Sequence, residues 1–199
     1  MTGANVAGNT FDKYASTNPI ERRMMAGFLA RLDRMLDVCA PRVVLEVGAG
    51  EGRITERLRA RYPTASVVGL DLLDEGLAGD WEQLDAAMVF GDATRLPVRT
   101  GSVDLVVALE VLEHVAEPAA ALREIARVCR GSLIASVPRE PIWRVGNLCR
   151  GRYVGELGNT PGHLNHWSAG AFGRLVDATF DVVEVRTPLP WTMVRARCR

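Results

Sequence analysis

A short apolar segment followed by a glycine turn and a helical pattern constrains this chain most. Residues 43–47 are apolar apart from Glu46, and glycine then occupies every second position at Gly48, Gly50 and Gly52. The helical pattern begins directly afterwards, at Arg53. Glycine lets a main chain approach a ligand closely because no Cβ stands in the way. The order strand, glycine turn, helix predicts an open α/β sheet that binds a nucleotide-like ligand at this strand tip.

Alternating strand and helix patterns support the same architecture. Between Pro41 and Val137 the chain alternates apolar strand-like segments with helical ones, which predicts a parallel sheet with helices on both faces. Two further strands near the C-terminus are joined by a turn at Pro188–Pro190 that is too short for a parallel crossover, so they must pair antiparallel. The predicted strands are residues 43–47, 66–71, 87–90, 103–109, 132–137, 181–185 and 191–196.

The glycine spacing distinguishes between nucleotide-binding families. A dinucleotide fingerprint would need glycine at position 53, which is Arg53. The observed pattern, Glu46-x-Gly48-x-Gly50-x-Gly52, resembles the first motif of class I S-adenosylmethionine (SAM)-dependent methyltransferases. A second match follows the fourth predicted strand and consists of Leu109-Glu110-Val111-Leu112-Glu113-His114. It resembles the post-strand motif of the type 11 methyltransferases, a group that includes ubiquinone and menaquinone biosynthesis enzymes.

This resemblance implies a fold and a cofactor. The fold would be a seven-stranded Rossmann-like methyltransferase sheet, with a parallel core, an antiparallel C-terminal hairpin and helices on both faces. The cofactor would be SAM, and the product S-adenosyl-L-homocysteine. The activity would be methyl transfer to a small-molecule acceptor, by O- or C-methylation. Two alternatives stay open: RNA methylation, and a SAM-binding protein without catalysis.

Candidate cofactor residues follow from the strand tips and from the resemblance. Asp71, with Leu72 beside it, ends the second strand, where a carboxylate can accept hydrogen bonds from both ribose hydroxyls; the alternative is a helix N-cap. The resemblance places Asp92 and Ala93 at the adenine, Leu109 and Glu110 at the methionine end, and Glu46 at the methionine ammonium. Gly48, Ala49, Gly50 and Gly52 in the turn are further candidates. Tyr14 and Arg23 could reach over the carboxylate of SAM if the N-terminal helix acts as a lid.

The sequence divides into three parts. Residues 1–38 are predicted to form a tail and an amphipathic lid helix that begins at Asn18 and Pro19, with an apolar stripe from Ile20 to Met35. By the same resemblance, we expect residues 39–199 to form the methyltransferase domain. Within it, residues at about 138–167 are too many for a simple turn, which predicts a substrate cap with one short helix at 142–149.

Three histidines are the candidate catalytic bases. His114, His163 and His166 all follow predicted strands, at the edge of the sheet where the ligand cleft should lie. Histidine suits proton removal from a hydroxyl acceptor near neutral pH. His114 could instead cap the next helix. We expect no metal site, because two histidines without a nearby cysteine or further carboxylate supply too few ligands.

Charge and composition indicate which binding partners and which cellular location to expect. The 24 Lys and Arg residues balance the 24 Asp and Glu residues, so no general attraction to nucleic acid is expected. Arg139, Arg144, Arg150 and Arg152 make the cap locally basic: it is either a solvated face, or a surface for an anionic or lipid-like acceptor or for peripheral contact with a membrane. Without a predicted membrane span, a secretory signal or paired cysteines, we expect a cytoplasmic protein. The oligomeric state stays open.

Overall fold

The computed structural model of the protein describes residues 17–199. Seven strands form one sheet in the order β3-β2-β1-β4-β5-β7-β6. Strands β1 to β5 pair in parallel, whereas β7 pairs antiparallel with both β5 and β6. The predicted fold class is therefore confirmed. The strands are β1 (Val43–Val47), β2 (Ser66–Asp71), β3 (Ala87–Phe90), β4 (Val103–Leu109), β5 (Cys129–Pro138), β6 (Asp181–Arg186) and β7 (Trp191–Arg197).

Residues 17–199 contain six α-helices. They are α1 (Pro19–Leu36), α2 (Arg53–Arg61), α3 (Glu75–Trp81), α4 (Pro118–Val128), α5 (Ile142–Cys149) and α6 (Ala169–Asp177). Helices α1 and α2 pack on one face of the sheet, and α4 and α6 pack on the other. Two 3₁₀ turns follow β4 and α5, at Leu112–His114 and Val154–Glu156. Among residues 17–199, no helix is both long and apolar enough to cross a lipid bilayer.

The strands divide their side chains between two cores. In β1, Val44 packs into the core under α1 and α2, whereas Leu45 and Val47 face the core under α4 and α6. In β4, Leu105 and Val106 show the same alternation. Successive side chains of a strand point to opposite faces of the sheet, and both faces are covered here. This is why the central strands are apolar almost throughout.

Helix α1 packs on the sheet through its C-terminal half. Asn18 caps it by accepting a hydrogen bond from the Ile20 amide (2.9 Å), as predicted. Phe28, Leu32 and Met35 are buried, but the Ile20 side chain is 69% exposed. The apolar stripe predicted from Ile20 to Met35 is therefore buried only from Phe28 onward, and the prediction that it covers the domain from Ile20 is wrong.

The cap leaves and rejoins the domain at neighbouring points. The Arg139 amide donates to the Pro190 carbonyl oxygen (2.9 Å), and the Glu140 amide donates to the Trp167 carbonyl oxygen (2.9 Å). The cap contacts the lid helix as well, since Arg150 forms an ion pair with Glu21 (2.9 Å). Helix α1 and the cap thus lie together over the carboxyl ends of the strands.

Candidate active site

A cavity of about 1030 Å³ lies at the carboxyl ends of the parallel strands. This is the edge where open α/β sheets bind ligands. The glycine turn and the tips of β2 and β4 form one end of its wall, while α1, the cap and Trp191 form the other. Most of the predicted cofactor residues line it: Glu46, Gly48, Ala49, Gly50, Asp71, Leu72, Asp92, Ala93, Leu109 and Glu110.

The three glycines of the turn serve different purposes. All have positive φ angles, which side-chain-bearing residues rarely adopt: 77° at Gly48, 52° at Gly50 and 82° at Gly52. A Cβ on Gly48 would collide with Val111, and one on Gly52 would collide with Leu84. At Gly50 no described atom lies within 4 Å of that position. Packing therefore requires glycine at two of these positions, whereas at Gly50 the open space belongs to the cavity.

Asp71 holds the glycine turn in place. Its carboxylate accepts hydrogen bonds from the amides of Gly50 (2.6 Å) and Leu72 (2.7 Å). Burial raises the pKa of Asp71, and these two amides oppose that shift. The N-cap of α3 is Asp74 rather than Asp71, so the alternative interpretation of Asp71 is wrong. Each oxygen of the Asp71 carboxylate still has a lone pair that can accept a hydrogen bond from a ribose hydroxyl.

Trp81 supports the same turn from outside the predicted site. Its indole Nε1 donates to the Gly50 carbonyl oxygen (2.8 Å), and its ring stacks on Phe90 at 4.4 Å between ring centroids. The turn is thus fixed through both the amide and the carbonyl of Gly50. Sequence analysis missed Trp81, because no motif links the end of α3 to the tip of β1.

Glu46 is a buried acid at the floor of the cavity, 2% exposed. Burial raises its pKa from 4.5 to about 8, although the Thr55 hydroxyl donates to its carboxylate and opposes the shift. Glu46 is therefore mostly neutral at pH 7. A cation placed beside it would favour the ionised form and make it release its proton.

Asp92 and Glu110 are acids that already accept hydrogen bonds within the protein. One oxygen of Asp92 accepts from both the amide and the hydroxyl of Thr94 (2.7 Å each), as in a turn that needs no ligand. Glu110 has a φ of 59°, and it accepts from the Trp191 indole (2.7 Å) and the Ser136 hydroxyl (3.1 Å). Glu110 thereby connects the methionine end of the predicted site to β5 and β7.

An aromatic wall closes the other end of the cavity. The rings of Phe28 and Trp191 meet edge to face at 4.9 Å, and Trp143 lies 5.9 Å from Trp191 and 6.0 Å from His163 between ring centroids. Met24 and Met25 of α1 add flexible apolar side chains. Sequence analysis did not single out any of these apolar residues as site residues, because each comes from a different part of the chain.

The structure brings together two of the three candidate histidines. His114 and His163 both line the cavity, with ring centroids 4.9 Å apart. Nδ1 of His114 lies 3.0 Å from the Gly162 carbonyl oxygen. Since a carbonyl oxygen only accepts, Nδ1 is the donor in this contact, and in the neutral ring Nε2 is then the acceptor nitrogen. His166 instead forms a hydrogen bond between its Nε2 and Oδ1 of Asn159 (2.7 Å). It is not among the described residues that line the cavity. Glu117, not His114, occupies the N-cap position of α4.

A carboxylate lies next to these histidines, contrary to the sequence-based expectation. Ligand atoms of Glu113, His114 and His163 all lie within 4.8 Å of one another. The argument against a metal site assumed that no further carboxylate was near, and for Glu113 that assumption is wrong. The cap loop brings His163 beside the 3₁₀ turn that carries the other two residues.

The cap arginines divide into two pairs. Arg150 and Arg152 line the cavity, whereas Arg139 and Arg144 are not part of its described wall. Of the remaining predictions, Tyr14 lies outside the described residues. The described wall includes neither Arg23, which is exposed on α1, nor Gly52. Helix α1 instead presents Glu21, Met24, Met25 and Phe28 to the cavity.

Comparison with known proteins agrees with this geometry. Residues 45–134 match the methyltransferase domain family. A malonyl-[acyl-carrier protein] O-methyltransferase of Xylella fastidiosa is 35% identical over 107 residues, which are 50% of this chain and 34% of that protein. A ubiquinone biosynthesis O-methyltransferase of Pseudomonas paraeruginosa is 32% identical over 117 residues, 51% of this chain and 47% of that protein.

The solved structures show the same fold. A SAM-dependent methyltransferase from Aquifex aeolicus superposes with a TM-score of 0.71 at 17% identity, covering 95% of this chain and all of that one. The chain spans about a third to a half of the length of the curated relatives that it matches. The matched segment, the sheet order and the glycine turn together show that residues 45–134 are similar to the methyltransferase domain family and that the chain has the fold of SAM-dependent methyltransferases.

Proposed function

We propose that this protein transfers a methyl group from SAM to an oxygen atom of a small-molecule acceptor. The observation that carries the proposal is a single cavity, lined at one end by Gly50 and Asp71 and at the other by histidine and aromatic side chains. Its volume, about 1030 Å³, matches the upper end of the range for small-molecule sites, roughly 300–1,000 Å³. The two relatives named above are both O-methyltransferases.

The proposed reaction is an in-line displacement at the SAM methyl group. The acceptor oxygen attacks the methyl carbon while the bond from that carbon to sulfur breaks, which leaves S-adenosylhomocysteine. Much of the catalytic effect comes from alignment of the two reactants and exclusion of water. For a hydroxyl acceptor, we propose that Nε2 of His114 takes the proton, since Nδ1 is engaged with the Gly162 carbonyl oxygen. A carboxylate acceptor needs no base.

The acceptor wall favours a molecule with an apolar part and an anionic group. Phe28, Trp143 and Trp191 supply apolar area, and Arg150 and Arg152 supply positive charge beside it. Guanidinium groups recognise carboxylates and phosphates through paired hydrogen bonds. The proposed acceptor is therefore an amphiphilic acid, or a lipid-like molecule with an acidic group.

We further propose that the cap rests on an anionic lipid surface. Ile142, Val145 and Leu148 of α5 are 38%, 53% and 39% exposed, while Trp143 and Asn147 of the same helix face the cavity. Arg144, a half-buried arginine of the same helix, is the source of positive charge in this proposal. Co-sedimentation with vesicles containing anionic lipid, but not with neutral ones, is expected, and Val145→Asp should abolish it. Equal binding to neutral vesicles, or self-association through this face, would contradict the proposal.

Titration calorimetry followed by a transfer assay tests the function. SAM and S-adenosylhomocysteine should bind, and labelled methyl groups should appear on hydroxyl or carboxyl acceptors. His114→Ala should slow transfer to hydroxyls much more than transfer to carboxylates. Tight binding of NAD(H) with none of SAM would refute the proposal.

Two alternative functions have distinct outcomes in the same assays. Methyl incorporation into total RNA, with none into small molecules, would indicate an RNA methyltransferase. Thermal stabilisation by SAM without turnover on any acceptor would indicate a SAM-binding protein that lacks catalysis.

A further inference from the structure

Glu113, His114 and His163 form a cluster with the composition of a metal site. Two of them lie on the 3₁₀ turn after β4, and His163 comes from the cap loop. Their ligand atoms all lie within 4.8 Å of one another. We propose that these three side chains bind a divalent first-row transition metal ion, with zinc as the preferred occupant. Binding of the ion does not depend on the methyl transfer proposed above.

The donor set determines which ions fit. Two imidazole nitrogens and one carboxylate oxygen suit zinc, cobalt, nickel or iron(II), whereas magnesium and calcium prefer oxygen donors throughout. A tetrahedral zinc ion with bonds of about 2.1 Å needs ligand atoms about 3.4 Å apart. The ligand atoms of the cluster therefore have to move closer together by up to about 1.4 Å when the ion binds.

Main-chain contacts fix the cap loop against the turn that carries Glu113. The amides of Leu164 and Asn165 both donate to the Glu113 carbonyl oxygen, at 2.8 Å and 3.1 Å. The Asn165 side chain donates to the Val115 carbonyl oxygen (2.7 Å). These bonds anchor the cap loop, immediately after His163, to the turn that carries the other two ligands, although the loop is far from that turn in sequence.

The outer contacts of the cluster also fit a metal site. Histidine ligands usually donate the other ring N–H to a carbonyl or carboxylate, which fixes the tautomer and the ring orientation. His114 makes such a bond to Gly162 through Nδ1. Glu113 and His163 are 1% and 7% exposed, so the ion would be largely shielded from water on their side.

The cavity gives the ion an entry path and an open coordination position. His114 and His163 both line the cavity, so a bound ion would face the acceptor end. Three protein ligands and one open position are the arrangement of catalytic rather than structural zinc sites. In the ion-bound protein His114 is a ligand rather than a base. The ion would bind the acceptor oxygen and lower the pKa of a coordinated hydroxyl.

Zinc and cobalt binding to the whole protein, without SAM or acceptor, tests this inference. After treatment with a chelator, the protein should take up one equivalent of Zn²⁺ in competition with a chromogenic chelator. Co²⁺ should give ligand-field absorption without intense thiolate charge-transfer bands. Glu113→Gln, His114→Ala and His163→Ala should each weaken Zn²⁺ binding at least tenfold.

His166→Ala is the matched control, because this histidine belongs to the same cap but lies outside the cluster. It should bind Zn²⁺ like the wild type. Since His114 is exposed, His114→Ala tests the site even if replacing the buried Glu113 impairs folding. The inference is overturned if the wild type binds no Zn²⁺, if His114→Ala binds it unchanged, or if cobalt spectra show thiolate ligands.

Discussion

The two ends of the cavity are built in different ways. At the end proposed to bind SAM, the cofactor end, main-chain groups of the glycine turn are fixed by neighbouring strand and helix tips, as in the bonds from Gly50 to Asp71 and Trp81. At the end proposed to bind the acceptor, the acceptor end, side chains from α1, the cap and β7 meet, as in the contacts among Phe28, Trp143 and Trp191. The first end depends on backbone conformation, and the second on which side chains are present.

This difference extends to how firmly each end is held. The glycine turn belongs to the sheet core, whereas the lid helix and the cap are joined by the partly exposed pair of Glu21 and Arg150. Partly exposed ion pairs contribute only about 0–1 kcal/mol. Breaking this ion pair between the lid helix and the cap would therefore cost little.

Gly50→Val should have the largest effect and should act on the cofactor end alone. Its side chain would occupy the open space of the cavity, so the affinity for S-adenosylhomocysteine should fall at least about 100-fold by calorimetry. Gly101→Val is the control, because Gly101 has a similar φ of 60° and open space around it but lies outside the described wall. Both variants should lose about 1–2 kcal/mol of stability from strain. Equal loss of affinity in both would contradict the cavity assignment.

Glu46→Gln should weaken SAM binding roughly 30-fold at pH 8, where the wild-type carboxyl group pairs with the SAM ammonium in its ionised form. At pH 7 the raised pKa of Glu46, about 8, means that wild-type binding releases a proton. Calorimetry in two buffers of different ionisation enthalpy measures this release. Glu56→Gln, an exposed acid on α2, should behave as the wild type. Equal proton release by Glu46→Gln would show that another group titrates.

The same carboxyl group should make the ligand-free protein less stable as pH rises. Folding raises the pKa of Glu46 from 4.5 to about 8, so between these values the folded state holds a proton that the unfolded chain has released. This contribution is complete below pH 4.5 and is lost as pH rises towards 8, by up to about 1.4 kcal/mol per pH unit. Urea unfolding at pH 5, 6, 7 and 8 should show a shallower decline in Glu46→Gln. Parallel curves would argue against a buried neutral Glu46.

Arg150→Ala should impair only the acceptor end. The KM for an anionic acceptor should rise roughly tenfold, because a charged hydrogen bond is lost, while SAM affinity stays within about twofold. Arg144→Ala is the matched control, since Arg144 is a cap arginine outside the described wall. A larger effect from Arg144→Ala would mean that the cap binds the acceptor through its outer face.

The smallest effect is expected for Glu21→Ala, which removes the ion pair between the lid helix and the cap. The acceptor KM should change by about two- to threefold, and stability by less than about 1 kcal/mol. Steady-state kinetics at low and at high salt measures this change, which should diminish as salt screens the pair in the wild type. An effect as large as that of Arg150→Ala would show that Glu21 contacts the acceptor itself.

Local sequence patterns were enough to predict the sheet and the strand tips at which the proposed cofactor end lies. Strand β1, the glycine turn and Asp71 could be predicted because each depends on local periodicity, on positive φ angles or on position at a strand tip. The short helix of the cap was also predicted with its observed bounds, Ile142–Cys149.

Which residues meet at the proposed acceptor end became clear only from the tertiary structure. The bond from Trp191 to Glu110 joins residues 81 apart, and Glu113 meets His163 only because the cap loop docks on the turn after β4. The same reason explains why His163 lines the cavity while His166 does not, although both lie in one loop. Such contacts depend on how segments that are distant in sequence pack together, and local sequence patterns do not predict that packing.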